Sequence, residues 1–135
     1  MTPAEARGRF AAARVARLAT ADATGQPHLV PVTFAVDGDT IFTAVDAKPK
    51  RTTALRRLAN VAANPRVALL VDHYDDDWSQ LWWVRADGTA RVVGPEAPKA
   101  RRAADLLLAR YPRFALRGPV MIVEVARWTG WSAGE

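Results

Sequence analysis

The sequence predicts a mainly β, α+β domain: a six-stranded antiparallel barrel with flanking helices that plug it. Three observations carry this prediction. Residues 26–36 alternate with period two, placing His28, Val30, Val32, Phe34 and Val36 on one face and Leu29, Pro31, Thr33 and Ala35 on the other. Short turns at Asp22–Gly25 and Asp37–Asp39 join the first three strands, which makes them antiparallel neighbours. The element order is helix, three strands, helix, two strands, helix, one strand, which suits a small barrel with helical plugs rather than a parallel sheet.

Thr2-Pro3-Ala4-Glu5 is a capping box with proline at the first helical position, so an Ala- and Arg-rich helix runs to about Val15. Arg17–Ala21 reads as a short strand. The alternating segment follows, and Pro31 within it points to an edge or a bulge, because proline cannot donate to a ladder. Thr40–Val45 is the return strand. Asp46–Arg51 is a basic loop, and Thr52 or Thr53 caps a helix that ends near Ala63, before Asn64-Pro65. Arg66–Asp72 is a nearly continuous apolar strand, His73–Ser79 an acidic loop, and Leu81–Val93 a long strand. Asp87-Gly88 within it is either a tight hairpin or a bulge. Pro98–Arg110 is amphipathic and stopped by Pro112. Val120–Ala126 is the last strand, and Arg127 onward reads as a tail carrying Trp128 and Trp131 at an exposed terminus.

At 135 residues, the chain fits one domain, 1–135, that buries roughly two thirds of its unfolded surface. Half of it is hydrophobic and 24% is charged, which excludes a disordered chain. There is no cysteine, which excludes disulfides, thiol catalysis, iron–sulfur clusters and thiolate zinc sites. Two histidines make a multi-histidine metal site a poor expectation, and Asp72–Asp77 lacks the glycine and closing glutamate of a calcium loop, so no metal is expected. No apolar run approaches the ~20 residues of a membrane span, and residues 1–9 lack the apolar region of a secretory signal. The expectation is a cytoplasmic protein with no membrane partner.

The net charge is +5, and sixteen of the nineteen basic residues are arginine. Arginine suits planar, bidentate recognition of phosphate and carboxylate, so an anionic partner is implied unless codon bias alone inflates the count. The charge is most concentrated in Lys48, Lys50 and Arg51, then a Thr-capped helix start, then Arg56 and Arg57. A helix N-terminus offers free N–H groups and partial positive charge, and added cations make it a phosphate site; the plainer alternative is a solvated basic loop. Trp82 and Trp83 are adjacent on a strand and point to opposite faces, so at least one faces a partner subunit or a planar ligand, unless both are ordinary core and rim packing. No Ser-His-Asp set and no Gly-rich phosphate loop is present. No catalytic residue is assigned, and an enzyme of this sequence needs a cofactor for its reactivity. A nucleic-acid partner is not expected, because no aromatic-studded basic strand motif accompanies the charge.

The stretch from Arg17 to Val93 resembles the split β-barrel superfamily of pyridoxamine 5′-phosphate oxidase, which binds flavins and deazaflavins. The matching pieces are ARLATADATGQPHLVPVTFAVDGDTIFTAV, KPKRTTALRRLANVAANPRVALLVD and DWSQLWWVRADGTARVV, with VEVARWTGW similar to the family's last strand. The Asp77–Arg85 block is most similar to an actinobacterial branch of coenzyme F420-dependent oxidoreductases. The resemblance implies an FMN-binding split-barrel fold and a homodimer with the cofactor in a groove between subunits. It sets Arg56 and Arg57 at the family's phosphate-binding basic pair, Lys48, Lys50 and Arg51 in the adjoining loop, and Pro31 and Thr33 where the ring packs. Trp82 and Trp83 complete the expected cofactor-binding set. The oxidase's Arg- and His-rich C-terminal substrate motif has no counterpart, so pyridoxamine phosphate oxidation is not implied.

The implied function is hydride transfer between F420 and a small organic acceptor. The polyanionic F420 tail suits the local excess of cations. The alternatives are an FMN oxidoreductase of the same fold and a non-catalytic binder of F420 or haem.

Overall fold

The computed structural model describes residues 1–46, 52–114 and 116–134. Its elements are α1 (Pro3–Ala12), β1 (Ala16–Ala21), β2 (Pro27–Val32), β3 (Ala35–Asp37), β4 (Thr40–Asp46), α2 (Thr52–Ala63), β5 (Arg66–His73), a 3₁₀ turn (Trp78–Gln80), β6 (Trp82–Val93), α3 (Pro98–Arg110) and β7 (Leu116–Ser132). The strands form one antiparallel sheet in the order β2-β1-β5-β6-β7-β4-β3.

Among the described residues seven strands stand where six were expected, because the alternating run 26–36 is divided. β2 and β3 lie at opposite edges of the sheet, yet only Thr33 and Phe34 separate them. A chain step of that length brings the two edges together, so the sheet curls into a barrel that stays split between β2 and β3. The break leaves Phe34 without ladder partners, and the end of α3 supplies them. The Phe34 carbonyl accepts from Arg110 Nη1 at 2.9 Å, and its N–H donates to the Tyr111 hydroxyl at 3.3 Å. Arg110 Nη2 also donates to the Ala13 carbonyl, and the Tyr111 hydroxyl lies 2.9 Å from the Arg14 carbonyl. One helix end thus fixes both the split and the entry to β1.

The capping box forms as the sequence indicates: Glu5 N–H donates to Thr2 Oγ1 and Thr2 N–H to Glu5 Oε1, each at 3.1 Å. α1 ends at Ala12, short of Val15, and buries Ala6 and Phe10. α2 begins at Thr52, but its capping side chain lies outside what the structure describes. Asp87-Gly88 is not a hairpin: β6 runs unbroken past it, and the bulge is in β7. Asp87 pairs with Arg127 and Gly88 with Val125, leaving Ala126 as the extra residue. Gly88 is required there, because a Cβ would sit 2.2 Å from the Glu124 carbonyl oxygen.

The last strand extends to Ser132 rather than ending at Ala126, which corrects the expectation of an exposed tail. Trp128 is 8% exposed and packs edge-on against Phe10, which also meets Phe34. The reason is the bulge at Ala126, which returns Trp128 to the inner face opposite Ala86. Trp131 falls on the outer face and is 47% exposed.

The main core lies inside the curl. Leu18, Val30, Val32, Ile41, Leu69, Val84, Met121 and Val123 meet Phe10 of α1 and Val61 of α2 there. α3 covers part of the outer face, packing Ala100 and Ala103 on Phe42, Val120 and Ile122. No helix among the described residues is long and apolar enough to cross a membrane.

Candidate cofactor site at the split of the barrel

α2 carries Arg57 against β4 and the start of β7. Thr43, Ala44, Leu58, Pro119 and Met121 line a shallow cleft with it. Arg57 Nε is buried and has no hydrogen-bond partner among the described residues. Burial holds its pKa below the ordinary arginine value, because the cleft offers the charge little solvation. A guanidinium in such a place is stabilised by an anion that enters.

Thr43 links this cleft to the split, since its hydroxyl donates to the Thr33 carbonyl at 2.7 Å. Thr33 is half-buried, and Pro31 two residues earlier is exposed on edge strand β2. Arg57 and Thr33 are therefore both neighbours of Thr43, and Pro31 lies two residues before Thr33 on β2. Arg56, on the same helix, is exposed. Lys48, Lys50 and Arg51 lie outside the described residues.

From Pro31 the outer face continues across the sheet. Pro31 pairs with Arg17, Arg17 with Leu70, Leu70 with Arg85, and Arg85 with Thr129. The adjoining row is Asp72, Trp83 and Trp131. Arg85 Nε donates to Asp87 Oδ2 at 2.9 Å, and its guanidinium lies 5.9 Å from the Trp83 ring centre. Leu29 and Leu70 are 67% and 36% exposed on this face. Trp83 thus shares a face with Pro31, whereas Trp82 points inward, packed against the core and 6.3 Å from His73.

The residues missed by the sequence reading are Thr43, Arg17, Leu70 and Arg85. Thr43 has a legible signal, a hydroxyl at an inward position of an apolar strand. Among the described residues no cluster of three His, Cys, Asp or Glu side chains could hold a metal. His28 Nδ1 is buried without a partner on the inner face, opposite Thr20, whose hydroxyl accepts from Asn60 at 3.0 Å.

A family model described as pyridoxamine 5′-phosphate oxidase matches residues 2–131. The chain belongs to the pyridoxamine 5′-phosphate oxidase family. A relative from Streptomyces rimosus, a 5a,11a-dehydrotetracycline/5a,11a-dehydrooxytetracycline reductase, is 35% identical over 100 residues, 72% of this chain and 68% of the relative. A conserved hypothetical protein of Mycobacterium tuberculosis, Rv2991, superposes with a TM-score of 0.72 at 26% identity, over 98% of this chain and 86% of that one. An FAD-binding protein from Mesorhizobium loti superposes with a TM-score of 0.73 at 22% identity, over 96% of this chain and 92% of that one, a likeness of fold. Within the pyridoxamine 5′-phosphate oxidase family this chain is a split barrel whose sheet does not close.

Proposed function

We propose that this chain is an oxidoreductase of the flavin and deazaflavin kind, and specifically an F420H2-dependent reductase of a small organic acceptor. The observation that carries the reading is Arg57 Nε, buried and unpartnered beside the split. It fits the phosphate of such a cofactor, with Thr33 and Pro31 beside the ring. When bound, reduced F420 supplies the hydride. The family and the reductase relative support the coarse reading, and the basic run Lys48, Lys50, Arg51 and Arg56 supports the polyanionic F420 tail.

The chain's own part is positional. Arg57 holds the anion, and the wall of Ala44, Leu58, Pro119 and Met121 shields one side of it from solvent. Among the described residues the cleft lining contains neither carboxylic acid nor imidazole, so none of these supplies a general acid. Leu29, Pro31, Leu70, Trp83 and Trp131, interspersed with Arg17 and Arg85, form a face that a second copy covers, and such a homodimer completes the groove.

One observation favours FMN as the second reading: a single half-buried guanidinium suffices for a single phosphate. Titration of purified protein with each cofactor tests both. Quenching of F420 fluorescence with a lower Kd than FMN supports the first reading. Tight FMN binding without F420 binding supports the second. Binding of neither overturns both.

A further inference from the structure

A separate cleft of about 520 Å³ opens where α1 crosses the ends of β5, β6 and β7. Its lining includes Arg9, His73, Gln80, Trp82 and Ser132. Register places His73 opposite Trp82 and Trp82 opposite Ser132, all on the inner sheet face. The proposed cofactor groove uses the outer face and the split, so this cleft is a different place.

Three features give it chemical character. The Trp82 indole is half-buried at the strand end, and the His73 ring stacks on it, tilted by 22°. The Arg9 guanidinium sits 5.2 Å from the Trp82 ring centre and donates to no carboxylate among the described residues. Glu5, the acid in the lining, has its carboxylate engaged by the Thr2 cap. Trp82 and His73 thus form a short column beside Arg9, whose charge, after the Thr2 cap hydrogen bonds, also favours the ionised Glu5 carboxylate, and beside the neutral donors Gln80 and Ser132. The volume falls in the range of small-molecule sites.

The geometry points to a second small-molecule site here, one that takes a flat aromatic carboxylate. The ring extends the column on Trp82 and His73, and the carboxylate meets Arg9. This does not depend on which cofactor the split binds.

The probe is 2-naphthoate, titrated calorimetrically into the full chain, with 2-naphthylmethanol and sulfate as comparisons. The expected result is saturable naphthoate binding, at least tenfold tighter than either comparison. Arg9→Ala and Trp82→Leu should each weaken it at least tenfold, and Arg57→Ala should leave it unchanged. Arg9 is exposed, so that variant folds, and Trp82→Phe should retain most of the affinity if the leucine variant does not fold. Absence of saturation at millimolar naphthoate overturns the proposal. So does binding indifferent to Arg9→Ala, and so does binding lost in Arg57→Ala, which would place the probe in the cofactor groove.

Discussion

Trp128 Nε1 donates to Asp39 Oδ1 at 2.9 Å, and Arg7 Nη1 donates to the same oxygen at 3.1 Å. One carboxylate in the β3–β4 turn thereby ties α1 and β7 together. The Trp128 and Arg7 hydrogen bonds hold the Asp39 pKa below its ordinary value.

A lowered folded-state pKa means stability present above the unfolded value, near 3.9, and lost as pH falls through the folded one. Asp39→Asn should therefore lower the melting temperature at pH 7, and the gap from wild type should narrow below about pH 4. Thermal melts across that range check it, and a gap that widens in acid would contradict the role.

Tyr111→Phe should destabilise the protein by about 1–3 kcal/mol, because the Phe34 N–H loses its partner at the split. Urea unfolding gives the value. Comparable loss is expected for no exposed polar residue of α3.

Arg57→Leu should act in opposite directions on folding and binding. The half-buried charge is removed, so the cofactor-free protein melts at the same temperature or higher. Cofactor binding should weaken by about 1–3 kcal/mol, roughly 5- to 150-fold in Kd. Calorimetric melting and fluorescence titration report the pair.

Leu70→Arg with Trp131→Glu should convert a dimer to a monomer, because both lie on the uncovered outer face. A standard interface buries roughly 800 Å² per partner, and charges without partners at its centre are not tolerated. Sedimentation velocity of wild type and variant at micromolar concentration decides it.

Turnover with reduced F420 should vary little between about pH 6 and 8, where histidine is the side chain that titrates. Among the described residues the cleft lining holds no imidazole. A steep step that vanishes in His28→Ala would reveal a proton donor on the inner face.

The helices and most strands were legible because their signals are local. Pro98 with Pro112 bounds α3, and the Thr2–Glu5 box starts α1. The split was not legible, since the alternation runs through Thr33 and Phe34 uninterrupted. What breaks the strand is a tertiary tie from Arg110 and Tyr111. Trp128 was misplaced because the bulge at Ala126 shifts the phase of the period-two pattern, and its cause, Gly88, sits on another strand. Leu70 was missed because RVALLVD is apolar on both faces, so periodicity cannot say which side is core. Arg57 was visible as a cation, but its burial depends on Met121 and Pro119, far along the chain.

β7 is the strand that joins β4 to β6, and it comes last of the strands in the sequence. During synthesis the β3–β4 hairpin and the β2-β1-β5-β6 half must wait as separate pieces, each with an unpaired edge, until residues 116–132 leave the ribosome. A nascent chain stalled before that point carries open β edges, which are templates for aggregation. The C-terminal strand is thus where cotranslational folding of this barrel is committed, and delays there should be felt as lost soluble yield rather than lost activity per molecule.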